Sequence, residues 1–437
     1  MILPQRELFN IPEDVAYLNT AYMSPLLNSV VSACDEGVRM KARPWELMIS
    51  DFYDTVDDAR RLFADLVNVD KEGVAIVPSA SYGIETAVKN LNVGLNRTVV
   101  LLENQFPSNV YPWQRLVEKK GGKVVKVELL DEESATQAVL KKINTECAIV
   151  ALPNVLWTNG RLIDLVSIRK RCDQVGAALV LDLTQSLGAI KTDFNIIKPD
   201  FAVVAGYKWL LCPYSTGFLY VDPKWRNGEP IEEGWITRAD SRDFSGLVNY
   251  TKNYESGANR YDVGERANFA LMPGVVSALR QILEWGIDNI HSTLAENNNK
   301  LALELAEIGL SSMPEHLRGP HFLGIKLPVS APKDLINRLA GENVYLSERG
   351  GSLRITPHLW NNEQDFKKLK NVRYCTNVSS ACLKSDLIVL HTEWNDFRFL
   401  NFKKLVKQDN FKIFDMRNIY SPTKMKKLKI NYFGIGR

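Results

Sequence analysis

Residues 202 to 221 read AVVAGYKWLLCPYSTGFLYV and set a lysine, Lys208, between two apolar runs, FAVVAG and GFLYV. An ammonium is costly to hold away from water, so a lysine in that setting needs a role. Asp182 closes another apolar run, ALVLD. If the two runs are neighbouring parallel strands, their ends bring a carboxylate and an amine to one crevice. An amine held there can condense with an aldehyde, and burial lowers its pKa so that the free base is at hand. A carboxylate beside it can keep a ring nitrogen protonated. Those are the two things pyridoxal phosphate asks of a protein.

The elements that must position these groups are visible in the hydrophobic pattern. GVAIVPS, TVVLLEN, KVVKVEL, CAIVALPN, ALVLDLTQ and FAVVAGYK read as strands, with helical stretches such as SIRKRCDQVGAA between them. Strands apolar on both faces and separated by helices imply an α/β fold with a mostly parallel sheet, whose ligands bind beyond the carboxyl ends of the strands. Ser79, Asn154, Asp182 with Gln185, and Lys208 all stand at such ends. A long helical stretch follows (ANFALMPGVVSALRQILEWG, NIHSTLAENNNKLALELAEIG), whose LALELAEIGL stripe reads as packing. Then comes a strand, helix, strand, strand, helix pattern beginning at HFLGIK, and near residue 372 the character changes again.

The totals narrow the partners. The chain has 437 residues, 45% apolar and 24% charged, with a formal charge of +3. That length allows two or three domains, and so small a net charge gives no reason to invoke nucleic acid or an acidic membrane. No run of about 18 apolar residues and no signal-peptide layout are present, so a soluble cytoplasmic protein is expected. Six scattered cysteines (Cys34, Cys147, Cys172, Cys212, Cys375, Cys382), with no CxxC and no histidine at ligand spacing, read as reduced, mostly buried thiols, and no metal is expected.

LDLTQSLGAI, AGYKWLLCPYSTGFLYV, NRYDVGERANF and SLRITPHLWNNEQDF, taken in this order, resemble the class V aminotransferase family over roughly residues 1 to 372. The resemblance implies fold type I of the pyridoxal phosphate enzymes: a large domain with a mostly parallel seven-stranded sheet, a smaller α+β domain, and a homodimer with shared active sites. The corresponding divisions are 1–20 (N-terminal segment), 21–270 (large domain), 271–372 (connecting helix and small domain) and 373–437 (tail). It implies that Lys208 holds the cofactor as a Schiff base and moves the proton at the substrate's alpha carbon, while Asp182 pairs with the pyridine nitrogen and Gln185 with the phenolic oxygen. Ser79, Ala80 and Ser81 would cradle the phosphate at a helix start, with Tyr207 adding a hydroxyl; the serines read equally as a helix N-cap. Phe106 would stack on the ring, and Asn154 would face cofactor or substrate. Asn19, Trp235 and Arg354 would bind the amino acid substrate, Arg354 by a fork onto its carboxylate. Gly264, Glu265 and Arg266 stand where a neighbouring subunit's loop reaches the phosphate, with Glu265 at a place where relatives often carry Thr.

The reaction is left open at this level. Cysteine desulfurases of the family carry a persulfide-forming cysteine shortly before the carboxylate arginine, and AGENVYLSERGGSLR has none. Cys212 reads as packing, and His358 as structural. The FPSN segment, Tyr207 and Trp235 resemble the kynureninase side. The overall match is closer to the branch of isopenicillin N epimerase-like proteins and carbon-sulfur lyases, and transamination stays open. From about residue 373 the tail resembles the end of the UDP-sugar dehydrogenase C-terminal domain, a partial Rossmann-like unit. The GxGxxG and catalytic-cysteine segments of that family are absent, so no dehydrogenase activity is expected. In a whole domain of that family, the resemblance implies, Arg417 and Asn418 would meet a nucleotide sugar. A non-catalytic scaffold acting through the tail is the alternative of another class.

Overall fold

A computed structural model describes the whole chain except residues 131–132, 328–330, 371–377, 384, 392–396, 399, 403–410 and 437. The expected boundary at 372/373 and Cys375 lie outside the described residues. The chain divides into two compact units: Met1–Lys326 with Ile336–Phe366, and Leu327–Leu335 with Lys367–Arg437.

The first unit is built on seven strands: β1 (Val74–Val77), β2 (Thr98–Leu102), β3 (Lys123–Val127), β4 (Cys147–Pro153), β5 (Ala178–Asp182), β6 (Phe201–Ala205) and β7 (Gly217–Val221). Their order is β1-β7-β6-β5-β4-β2-β3, and all neighbours are parallel except β7, which runs antiparallel to both β6 and β1. The expected mostly parallel sheet is therefore the fold. Alternation explains why the strands are apolar on both faces. Val74, Ile76, Val100 and Leu102 join one core with the helices Asp54–Val67, Leu165–Val175 and Met272–Trp285. Ala75, Val77, Val99 and Leu101 join the other with the helices Ala80–Asn90 and Tyr111–Lys120. With both faces covered, polar groups can approach the sheet only at its ends.

The α+β part of this unit has an antiparallel sheet of β8 (Leu323–Lys326), β9 (Ser347–Arg349) and β10 (Ser352–Ile355), ordered β9-β10-β8. Gly350 and Gly351, at φ of 57° and 75°, make the two-residue turn between β9 and β10, a conformation that favours glycine at both positions. The N-terminus reaches this region as well. Ala16–Tyr17 pairs in parallel with Val344–Tyr345, and Asn19 bridges Thr356.

In the second unit β11 (Leu387–Leu390), β12 (Lys412–Asp415) and β13 (Asn431–Gly434) form a parallel three-stranded sheet. Ile388, Leu390, Ile413 and Met425 form its core. Asp415, fully buried, accepts from the Tyr432 hydroxyl at 2.8 Å and the Tyr420 amide at 3.0 Å. Arg417 Nε donates to the His391 carbonyl at 2.9 Å, and Asn418 Nδ2 to the Ile435 carbonyl at 3.1 Å. Among the described residues no helix is long and apolar enough to cross a membrane, and no cluster of three or more His, Cys, Asp or Glu could hold a metal ion.

Candidate active site

The carboxyl ends of β4, β5 and β6 lie side by side, with Pro153 opposite Asp182 and Asp182 opposite Val203. Lys208 follows β6 by three residues, and the chain then turns through two non-glycine residues in the left-handed region, Leu211 (φ 55°) and Ser215 (φ 70°). This strained return keeps the lysine at the strand ends before β7 begins. A cavity of about 260 Å³ opens there, and Lys208 and Asp182 both line it.

Lys208 is only 6% exposed. Burial is the main cause that lowers its pKa to about 8; the Asp182 carboxylate opposes the shift, and the Arg354 and Arg349 guanidinium groups add to it. Its Nζ lies 5.7 Å from the Phe106 ring centroid and 5.6 Å from that of Tyr207. Asp182 is buried, which raises its pKa against the hydrogen bonds from Thr184 and the charge of Lys208. The Thr184 amide donates to Asp182 Oδ1 at 3.1 Å, and Thr184 Oγ1 accepts from the Ala205 amide at 3.0 Å, tying β5 to β6 behind the carboxylate.

The opposite wall is the start of the helix Ala80–Asn90. Ser79 caps it, its Oγ accepting from the Tyr82 amide at 3.2 Å and lying 3.0 Å from Ser81 Oγ. Ser79, Ala80 and Ser81 all line the cavity, so a helix N-terminus with two hydroxyls faces it. Phe106, Gln185 and Tyr207 line it too. The Gln185 side chain donates to the Ala21 carbonyl at 3.0 Å and accepts from Trp209 Nε1 at 3.3 Å, which holds the amide in place.

Other expected residues sit elsewhere. Asn154 is not among the lining residues: its Nδ2 donates to the Ile163 carbonyl at 2.8 Å and braces the loop after β4. Trp235 also lies outside the lining, with its ring 6.4 Å from Phe52 and 5.4 Å from Phe244. Gly264 and Glu265 do not line the cavity of their own chain; the Gly264 amide donates to Glu232 Oε2 at 2.7 Å. Arg266 is buried against Asp262 (2.6 Å) and Glu255 (3.0 Å), so its charge is already matched.

Arg354, 2% exposed, has no acidic partner among the described residues. Its Nε and Nη2 donate to Ser347 Oγ at 3.0 and 2.7 Å, its Nη1 to the Trp157 carbonyl at 3.0 Å, and Ser347 Oγ donates in turn to Asn19 Oδ1 at 2.7 Å. Neither Arg354 nor Asn19 is among the residues lining the cavity; Asn19 holds Ser347, which in turn holds Arg354. Burial lowers the pKa of this guanidinium to about 10. A buried cation held by neutral acceptors is a site for an anion.

Cavity walls without a distinguishing mark in the sequence include Gln105, Asn109, Trp157, Thr184, Tyr214 and Ser215. Trp157 meets Phe106 edge to face at 5.4 Å, and its Nε1 donates to the Asn104 carbonyl at 2.7 Å. Asn109 Oδ1 accepts from Trp113 Nε1 at 2.8 Å, while its buried Nδ2 has no partner among the described residues. Cys212, fully buried, is absent from the walls, and burial pushes its thiol pKa far up. His358 is stacked on Trp360 at 4.8 Å, away from the walls.

These observations fit pyridoxal phosphate. The cavity supplies a deprotonatable amine, a buried carboxylate without an ion-pairing partner at hydrogen-bond distance, an open helix N-terminus and, at Asn109, an orphaned donor.

Comparison with known proteins agrees. The family Aminotransferase class-V matches residues 16–361, and the UDP binding domain of the UDP-glucose/GDP-mannose dehydrogenase family matches residues 344–422. The chain is 23% identical over 374 residues to an uncharacterized aminotransferase of Schizosaccharomyces pombe, covering 82% of this chain and 91% of that protein. It is 25% identical over 330 residues to a kynureninase of Bacillus mycoides, covering 74% and 71%. A probable cysteine desulfurase of Pyrococcus abyssi is 26% identical over 233 residues, which span 51% of this chain and 57% of that protein. Among solved structures, a cysteine desulfurase from Thermococcus onnurineus superposes with a TM-score of 0.72 at 19% identity, over 85% of this chain and 97% of the other. The cystine C-S lyase C-DES does so at 0.74 and 16%, over 82% and 97%. With its fold, its cavity and a family match across most of its length, the chain belongs to the class V aminotransferase family of pyridoxal-phosphate-dependent enzymes.

Proposed function

We propose that the chain is a pyridoxal-phosphate-dependent lyase that releases a group, sulfur foremost, from the beta carbon of an amino acid. The observation that carries this reading is the convergence of Lys208 and Asp182 on one cavity whose walls, among the described residues, contain no thiol. When bound, the cofactor supplies an aldehyde for the amine and a protonated ring that accepts the electron pair of the bond being broken. This chain's residues do the rest. The start of the helix Ala80–Asn90 binds phosphate with amides and hydroxyls, Phe106 covers the ring, and Asp182 holds its nitrogen proton. Arg354 takes the substrate carboxylate, and Lys208, its pKa lowered to about 8, removes and returns the proton at the alpha carbon.

With no thiol lining the cavity, sulfur leaves with the product instead of on the protein. The cysteine desulfurase and the cystine C-S lyase among the similar proteins support sulfur chemistry, while the absent loop cysteine separates this chain from a persulfide route. For a cysteine S-conjugate the balance is conjugate plus water giving thiol, pyruvate and ammonia. A homodimer, in which Gly264 and Glu265 meet the partner's phosphate, completes the reading. The five free cysteines among the described residues, four of them buried, support a reducing, cytoplasmic setting.

With no added oxo acid, the cofactor-loaded protein should release pyruvate and thiol in equal amounts from a cysteine S-conjugate, or pyruvate and cysteine persulfide in equal amounts from cystine. Turnover that requires a 2-oxo acid acceptor would replace lysis with transamination. A second reading, kynureninase-like hydrolysis, is favoured by the aromatic walls Phe106, Trp157, Tyr207 and Tyr214 and by the kynureninase similarity. Cleavage of L-kynurenine in preference to cysteine conjugates would select it.

A further inference from the structure

Two guanidinium groups, Arg349 and Arg354, stand on one hairpin near Lys208. β9 and β10 pair Ser347 with Arg354 and Arg349 with Ser352. Residues two apart on a strand, and residues directly opposite across a pair, share a face. Arg349 and Arg354 therefore project from the same face of one hairpin, at diagonal positions. The Gly350–Gly351 turn packs this hairpin against Thr158, where a Cβ on Gly350 would lie 3.5 Å from its methyl group. Thr158 follows Trp157, a wall of the cavity, and the Arg354 guanidinium lies 5.9 Å from the Trp157 ring centroid.

Both guanidinium groups act on the Lys208 ammonium, and Arg349 acts on Arg354. Arg349 is half-buried, and its Nη1 donates to the carbonyl of its own neighbour Glu348 at 2.7 Å. It forms no ion pair among the described residues. If the cofactor lies as in the proposed function, on which this inference rests, its ring nitrogen takes Asp182 and its phosphate takes the helix start. The substrate's alpha carboxylate takes Arg354. One guanidinium remains without an anion.

We propose that Arg349 recognises a second anionic group on the substrate, so that the preferred amino acids carry an acidic side chain, such as a carboxylate or sulfinate, besides the alpha carboxylate. A planar guanidinium suits either group, because both present two oxygens to its fork.

Two measurements test this. In the cofactor-loaded protein, absorbance titrations with L-aspartate, L-cysteine sulfinate and L-alanine read binding independently of turnover. The two acidic amino acids should bind at least about tenfold more tightly than alanine, and Arg349→Gln should reduce that preference to within about twofold. In cofactor-free protein, calorimetric titration should show succinate binding more tightly than propionate, and R349Q should abolish the difference. A preference that persists in R349Q, or a wild-type protein that favours alanine and propionate, overturns the proposal. Protein that takes up no cofactor but still prefers succinate through Arg349 would refute the proposed function while leaving the second anion site standing.

Discussion

Replacing Lys208 by methionine should stabilise the cofactor-free protein, and the size of the gain should depend on pH. Burial lowers the pKa of Lys208 from 10.5 to about 8. Below pH 8 the folded and unfolded states both carry the proton, so the full penalty for burying the ammonium opposes folding. Between pH 8 and 10.5 only the unfolded state binds it, and the penalty falls by about 1.4 kcal/mol per pH unit until it vanishes above 10.5. The difference between the two pKa values corresponds to about 3 kcal/mol at pH 7 and about 2 kcal/mol at pH 9. Methionine nearly conserves volume, at a packing cost below about 1.5 kcal/mol that does not vary with pH. The informative quantity is therefore the change between the two pH values. Urea unfolding of wild type and K208M, followed together by fluorescence and circular dichroism, should show the advantage of K208M shrinking by about 1.3 kcal/mol from pH 7 to pH 9. An advantage that stays flat with pH would refute the argument that Lys208 is a buried ammonium in the free protein.

Asp182→Asn should lower turnover by roughly 100- to 1,000-fold, as when one preorganised electrostatic group is lost, yet leave cofactor uptake intact because the helix start is untouched; wild-type turnover would contradict its role. Ser79→Ala should cost about 1 kcal/mol as a lost N-cap and should weaken binding of pyridoxal phosphate more than that of pyridoxal, as read by fluorescence titration. Equal losses for the two would leave Ser79 as a cap alone. Burial holds the His358 pKa down to about 3, with neither ring nitrogen hydrogen-bonded. As pH falls from 6.5 toward 3 only the unfolded state takes that proton, so stability is lost by about 1.4 kcal/mol per pH unit from this residue. His358→Phe, which keeps the stack on Trp360, should make acid unfolding shallower by that amount, and an unchanged slope would contradict it.

The sheet was legible because its physics is local. Val74–Val77 and Phe201–Ala205 are apolar on both faces, as a strand covered by helices on both sides must be. Polar residues that end such runs can only lie at the sheet's edge, which is how Asp182 and Lys208 announced themselves. The same logic singled out Asn154. It too ends a strand, but its amide is consumed by the Ile163 carbonyl nine residues on, a loop contact with no sequence signature. Trp235 stood out as a large aromatic in a polar loop, and aromatic neighbours at Phe52 and Phe244 account for it within one chain. Trp157 and Asn109 were missed for the complementary reason. Trp157 sits in a loop tied to a distant partner, the Asn104 carbonyl, and Asn109 ends a single helical turn, Pro107–Asn109, too short to show a period. Asn109 left one faint trace, its four-residue spacing from Trp113 across the Pro112 helix start.

Every role proposed for the cavity requires Lys208 to be the amine that carries the cofactor. Protein incubated with pyridoxal phosphate at pH 8, reduced with borohydride, dialysed and digested should yield one labelled peptide, with the label on Lys208. The K208A protein treated in the same way should remain unlabelled. Uptake of label at another lysine, or none in the wild-type protein, would contradict the account at its centre.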